Sequence, residues 1–160
     1  MENNIKNIIQ QKLHMIKSFY YTITLQPNAA PQNIIEHGTT TYYLKSVIME
    51  LLIKALYESE FKESHKNTHN LKTVFDKINK STKNFVELQY NNARERQLKP
   101  FKANNITDVE FPDLYTTFDS NTEIIRDFKY NATGNKNNSS LDGIFLQEIL
   151  TFIEKKLSKI

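Results

Sequence analysis

Apolar side chains recur every three or four positions along most of the chain, which is the spacing of one face of an α-helix. The first such stretch covers about residues 5–19, and a second covers residues 42–60. The second stretch has the widest apolar stripe, so we predict that it forms the central helix of the fold. Pro27 and Pro31 cannot continue the first helix, and residues 24–38 are therefore predicted to form a loop.

Polar residues then interrupt the pattern and indicate where the next helices begin. Residues 62–67 form a predicted hydrophilic connection, and Asn70 is a predicted cap for the helix that follows. A further helix is predicted to restart at Ser81 and to stop before Pro100, because the residue before a proline disfavours helical backbone. Residues 100–113 are predicted to be a loop that isolated apolar side chains hold in place.

The last third of the chain shows two more helical patterns. Residues 114–118 are predicted to form a single turn, and Ser120 or Asn121 is predicted to cap the helix that follows it. Residues 131–140 are predicted to be an exposed connection, and a serine at 139–140 is predicted to cap the last helix. The pattern as a whole predicts an all-α, compact bundle of five to six helices in a single domain of 160 residues.

Composition supports the helical prediction and narrows the chemistry. Only three glycines and four prolines are present, which is little material for the tight turns of a many-stranded β fold. The chain contains no cysteine, so thiolate nucleophiles, disulfides, zinc fingers and iron–sulfur clusters are excluded. No apolar run approaches the ~18 residues of a membrane span, and the first residues lack a secretion signal. We therefore expect a cytoplasmic protein with no membrane association.

The net charge of +3 does not by itself indicate a nucleic-acid surface. The basic residues are mainly lysines, with arginine only at positions 94, 96 and 126, and they are mixed with acidic residues along the chain. Helices commonly carry such mixed charges on their exposed faces. We expect a solvated surface.

Two segments taken together resemble the HEPN domain family. Residues 41–56 read TYYLKSVIMELLIKAL and place Glu50 four residues before the Lys54-Ala-Leu sequence. That arrangement resembles the long central helix of HEPN domains. Residues 69–75 read HNLKTVF and resemble the His-Asp/Asn-Leu start of the next HEPN helix. The resemblance is good over about residues 40–80 and extends to the rest of the chain only through the number of helices.

The resemblance implies a fold, an assembly and a biological setting. HEPN domains are small helical bundles, usually homodimers, that belong to toxin–antitoxin, antiphage and nucleotidyltransferase-associated systems. A HEPN-like chain is therefore expected to bind RNA, a nucleotide or a protein partner in a defence or stress-response system. A cognate antitoxin or a nucleotidyltransferase would be the protein partner. The binding candidates that the resembling segments supply are Glu50, Lys54, His69 and Asn70.

The RNase motif of active HEPN domains is missing from this sequence. That motif is an arginine followed after four to six residues by a histidine, yet all four histidines here precede Arg94. Arg126 and Tyr130 lie roughly where the motif is expected, and a tyrosine is a poor acid because its unperturbed pKa is about 10. A divergent metal-independent endoribonuclease that uses Arg126 and Tyr130 as catalytic residues is the first alternative function. A structural protein-interaction module is the second.

The same residues also have ordinary structural interpretations. Glu50 and Lys54 form an i,i+4 pair, which contributes only about 0.2–0.5 kcal/mol on an exposed helix. His69 can organise the entry to a helix, and Arg126 can be a surface residue. His65 and His69 are four positions apart, but no third ligand accompanies them, so neither a metal nor a cofactor is expected.

Overall fold

The computed structural model describes the backbone of residues 2–24, 34–65, 68–130 and 141–158, and the side chains of these residues except at positions 2–3, 34–39 and 126–130. All regular secondary structure in this part of the chain is helical. The described residues form six helices, α1 (Glu2–Thr24), α2 (Ile34–Phe61), α3 (Leu71–Lys77), α4 (Lys80–Ala103), α5 (Leu114–Tyr130) and α6 (Gly143–Leu157). The predicted all-α bundle of five to six helices is confirmed. No helix among the described residues is long and apolar enough to cross a membrane.

Helix α2 is the centre of the bundle. It packs against α1, α3, α5 and α6, while α4 packs against α6 and α3 packs against α5. The side chains of Ile48, Leu52 and Leu56 are completely buried, as expected for one stripe of a helix at three-to-four spacing. Burying a side chain of this size contributes about 1.5–3 kcal/mol relative to leaving it exposed. The prediction of a central second helix is confirmed.

Aromatic side chains fill the spaces between the outer helices. Tyr90 of α4 meets Phe145 of α6 edge to face at 5.4 Å, and Phe75 of α3 meets Phe118 of α5 in the same way at 5.1 Å. The Tyr90 hydroxyl donates a hydrogen bond to the carbonyl of Pro112 at 2.9 Å, which ties the loop between α4 and α5 to the core. A buried tyrosine hydroxyl needs such a partner, because an unpaired one would be costly.

The boundaries of the first two helices differ from the prediction. Helix α1 continues to Thr24, and α2 begins at Ile34, inside the predicted loop of residues 24–38. Positions 25–33 of that loop lie outside the described residues. The predicted start is late because Gly38 and the threonines after it are interpreted as a helix start signal. Once a helix is nucleated, however, each added residue contributes a hydrogen bond, so α2 extends through them.

The predicted end of α4 before Pro100 is wrong. The helix continues through Pro100 to Ala103. Proline removes only one backbone donor, and this position is exposed, so water can satisfy the carbonyl that loses its partner. The Asn104 side-chain amide donates to the carbonyl of Pro100 at 2.8 Å and satisfies one of the last carbonyls of the helix.

The predicted division of α5 into a turn and a separate helix is also wrong. Helix α5 is continuous from Leu114 to Tyr130. At its start, the side-chain Oδ1 atom of Asp113 accepts a hydrogen bond from the backbone N–H of Thr116 at 2.7 Å. Asn121 is completely buried in the middle of the helix and does not act as a cap.

The cap of α6 is Asp142, whose carboxylate accepts the N–H of Ile144 at 2.6 Å. Residues 131–140, including the predicted serine cap, lie outside the described residues.

Candidate functional site

Three of the four predicted binding residues meet where α2 passes the start of α3. The Nδ1 atom of His69 lies 3.1 Å from each carboxylate oxygen of Glu50. The Nζ atom of Lys54 lies 2.6 Å from Oε1 of the same carboxylate. We refer to Glu50, Lys54 and His69 as the Glu50 cluster.

Local structure explains how these residues are presented. Glu50 and Lys54 are one turn apart on α2, so their side chains share a helix face. His69 lies in the irregular segment just before α3, and Asn70 caps that helix by accepting the N–H of Thr73 at 3.1 Å. The side chain of Asn70, the fourth predicted binding residue, is therefore engaged in capping. The prediction of Asn70 as a helix cap is confirmed.

Burial distinguishes the Glu50 cluster from an ordinary surface ion pair. The side chains of Glu50 and Lys54 retain only 11% and 12% of their exposure, while that of His69 retains 57%. Exposed i,i+4 ion pairs contribute little to the stability of a fold, but a largely buried carboxylate without a cation would destabilise it strongly. Lys54 therefore compensates the charge of Glu50, and the exposed imidazole is the part of the cluster that solvent and ligands can reach.

The hydrogen bond to Glu50 sets the chemistry of the imidazole. An ionised carboxylate can only accept hydrogen bonds, so the proton of a neutral His69 ring is assigned to Nδ1. The Nε2 atom then carries a lone pair, and among the described residues no hydrogen bond reaches it. Such an imidazole can accept a proton from a substrate, or donate a charge-assisted hydrogen bond to an anion once it is protonated.

Helix α5 supplies contacts that the sequence analysis missed. The hydroxyl of Thr122 donates to the backbone carbonyl of His69 at 2.8 Å. The side-chain amide of the neighbouring Asn121 donates to the backbone carbonyl of Ser46 at 3.0 Å. These partners are 53 and 75 residues apart in the chain, so no local spacing pattern could have revealed them.

Arg126 and Tyr130 lie in the last part of α5, beyond Thr122. Their side chains lie outside the described residues. Their predicted catalytic role therefore stays a prediction. The backbone places Arg126 four residues, about one helical turn, after the residue that contacts His69.

In a basic groove along α4, two of the three basic side chains are paired with acidic ones. The groove has a volume of about 470 Å³ and contains Arg96, Lys99 and Lys102. Arg96 pairs with Asp142 at 3.2 Å, and Lys102 pairs with Glu95 at 3.0 Å. Among the described residues, no three histidine or acidic side chains converge as metal ligands would. The Glu50 cluster is the stronger candidate for chemistry because its imidazole is exposed and held by a buried charge.

Comparison with known proteins does not assign the chain to a family: no family model, no curated protein and no solved structure matches it. The HEPN resemblance therefore depends on the two segments at residues 41–56 and 69–75. Both segments contribute side chains to the Glu50 cluster.

Proposed function

We propose that this chain is a HEPN-like helical domain that binds RNA at the Glu50 cluster, without the arginine-to-histidine RNase motif. The observation that carries the proposal is the exposed imidazole of His69, held through Nδ1 by the largely buried carboxylate of Glu50. Functional side chains in proteins are typically presented in this way, with the reactive group exposed and its support buried.

Phosphate is the ligand chemistry that suits such a group. When His69 is protonated, the cluster carries two positive charges and one negative charge, and Nε2 becomes a donor. A hydrogen bond from a charged donor to a phosphate oxygen is stronger than a neutral one, contributing about 1.5–3 kcal/mol. RNA presents a phosphate at every nucleotide and so offers this donor many equivalent partners.

The assembly and setting in the proposal follow from the HEPN resemblance. By that resemblance the chain is a homodimer of a defence or stress-response system, and its protein partner is a cognate antitoxin or a nucleotidyltransferase. A measurement of mass in solution tests the dimer separately from the ligand.

Binding of a single-stranded RNA oligonucleotide to His69→Ala and His14→Ala variants tests the proposed ligand. His14 is a matched control because it is an exposed histidine on α1, outside the Glu50 cluster. At low salt and mildly acidic pH, we expect His69→Ala to weaken binding about tenfold or more, as the loss of one charged hydrogen bond implies. His14→Ala should bind like the wild type. Equal affinities for all three proteins would contradict the proposal.

A second candidate function is a divergent metal-independent endoribonuclease. The bond between Glu50 and Nδ1 of His69 favours it, because a carboxylate that orients an imidazole in this way leaves Nε2 free to act as a general base. Arg126 and Tyr130 are the further catalytic candidates. We expect wild-type protein to cleave RNA in the presence of a chelator, and His69→Gln and Arg126→Ala to remain folded but inactive. Intact RNA after incubation with the wild type would eliminate this candidate.

A further inference from the structure

Two adjacent residues of α5 contact the two backbone segments that carry Glu50 and His69. Asn121 donates to the carbonyl of Ser46, which lies one helical turn before Glu50 on α2. Thr122 donates to the carbonyl of His69. Helix α5 therefore connects both halves of the Glu50 cluster without supplying a side chain to it.

A contribution to stability does not explain why the polar side chains of Asn121 and Ser46 are buried. Asn121 and Ser46 are both completely buried. In the part of the chain that the structure describes, the Oδ1 atom of Asn121 and the hydroxyl of Ser46 have no hydrogen-bond partner. Burying a polar atom without a partner disfavours folding, and an apolar side chain of similar volume would avoid that cost. We therefore look for a role of the Asn121 amide other than stabilising the fold.

We propose that Asn121 and Thr122 are positioning residues that hold Glu50 against the imidazole of His69. His69 lies in an irregular segment, and its ring is mostly exposed, so many orientations of the ring compete with the one bonded to Glu50. Thr122 restricts the backbone of that segment, and Asn121 fixes the position of the α2 turn opposite it. Together they set the 3.1 Å spacing between the carboxylate and Nδ1.

The consequence for ligand binding rests on the proposed function, but the hydrogen bond itself does not. Long-range ¹H–¹⁵N spectra of the imidazoles show which nitrogen carries the proton. We expect His69 of the wild-type protein to hold its proton on Nδ1 when neutral. A shift of that proton towards Nε2 reports loss of the bond to Glu50 and requires no RNA.

Thr122→Val is the first test, because valine keeps the shape of threonine and removes its hydroxyl. Thr151→Val is the matched control, because the hydroxyls of Thr122 and Thr151 each lie within hydrogen-bond distance of the carbonyl four residues earlier in their own helix, but Thr151 lies on α6, away from the cluster. The Thr122 hydroxyl shares its single proton between that carbonyl and the carbonyl of His69. We expect Thr122→Val to shift the His69 proton towards Nε2 and Thr151→Val to leave it unchanged. Identical His69 spectra in both variants would overturn the role of Thr122.

Asn121→Leu is the second test, and it separates positioning from stability. We expect an unchanged or higher melting temperature, together with the same shift of the His69 proton. An unchanged proton position in a folded variant would overturn the role of Asn121. Thr122→Val barely changes the packing, so the role of Thr122 is decided even if Asn121→Leu fails to fold. In that case Asn121→Ala, which adds no atoms to the buried site, tests Asn121 by the same shift of the His69 proton. The two proposals can fail separately. If the variants shift the His69 proton but the wild-type protein binds no RNA, the positioning role is supported and the proposed function is contradicted.

Discussion

Glu60, near the end of α2, accepts the backbone N–H of Asn79 at 2.8 Å and so caps the start of α4 from a different helix. Asn79 is the cap residue of α4 by position, but its own side chain makes no capping hydrogen bond. The same carboxylate also accepts hydrogen bonds from the Thr82 hydroxyl and from Lys156 of α6 at 2.7 Å. One acidic side chain therefore joins three helices.

Removing the Glu60 carboxylate should destabilise the fold measurably. Glu60→Ala removes the acceptor of the Asn79 N–H and the carboxylate partner of Lys156, whose ammonium keeps a hydrogen bond to the Thr82 hydroxyl at 2.9 Å. The loss of a helix cap together with a charged hydrogen bond should lower the free energy of unfolding by about 2 kcal/mol. Urea denaturation measures this change. Glu148→Ala, at an exposed position of α6, should stay within about 0.5 kcal/mol of the wild type, and equal losses in the two variants would argue against the capping role.

The same carboxylate predicts a specific acid sensitivity. Burial by itself would raise the pKa of Glu60, but the hydrogen bonds from Lys156, Thr82 and the Asn79 backbone outweigh it and hold the pKa below 4.5. The unfolded chain then binds a proton more readily than the folded one. This stabilisation is complete above about pH 4.5 and is lost as the pH falls through the lower pKa of the folded state. Urea midpoints between pH 6 and pH 3 should fall less steeply for Glu60→Gln, which cannot titrate there.

A second acidic residue, Glu58, is completely buried and forms an ion pair with Lys12 of α1. The variant Lys12→Met removes the cation and leaves a buried carboxylate, which still accepts a hydrogen bond from the backbone N–H of His65 at 3.1 Å. We expect a loss of about 3 kcal/mol in the free energy of unfolding, because an uncompensated buried charge is costly. Adding Glu58→Leu to that variant should recover much of the loss, and a purely additive double variant would contradict this explanation.

Lys17→Met provides the control for this ion pair on the same helix. Lys17 pairs with Glu154 at 2.6 Å, but the two side chains retain 59% and 38% of their exposure. Exposed ion pairs contribute about 0–1 kcal/mol. The large difference expected between the Lys12 and Lys17 variants therefore isolates the effect of burial.

Asn70 should contribute to stability as a cap and not as a ligand. Asn70→Ala removes the acceptor for the Thr73 N–H and should lower the free energy of unfolding by about 1 kcal/mol. Asn70→Asp keeps the acceptor and should be close to the wild type. Thermal unfolding of the two variants checks the difference, and a similar loss in both would show that the cap oxygen is not what matters.

Local patterns were sufficient for some roles that depend on neighbours in the chain, but they failed at the end of α4 near Pro100 and at the Asp142 cap of α6. The three-to-four spacing of Ile48, Leu52 and Leu56 predicted a buried helix face, and Asn70 was recognised as a cap from its place before an apolar stretch. The spacing failed at Asn121, whose residue type favours a helix start. Burial against α2, with a hydrogen bond to Ser46, overrides that preference, so α5 continues through it.

The sequence by itself determined the helical class, the central position of α2 and the residue types available at the candidate site. Only the tertiary structure decided that the carboxylate of Glu50 meets the imidazole of His69, and that Glu60 caps a helix other than its own. Helical spacing is set by backbone geometry within a few residues. Contacts between helices depend instead on how their side chains interlock in three dimensions, and that arrangement leaves no periodic signal along the chain.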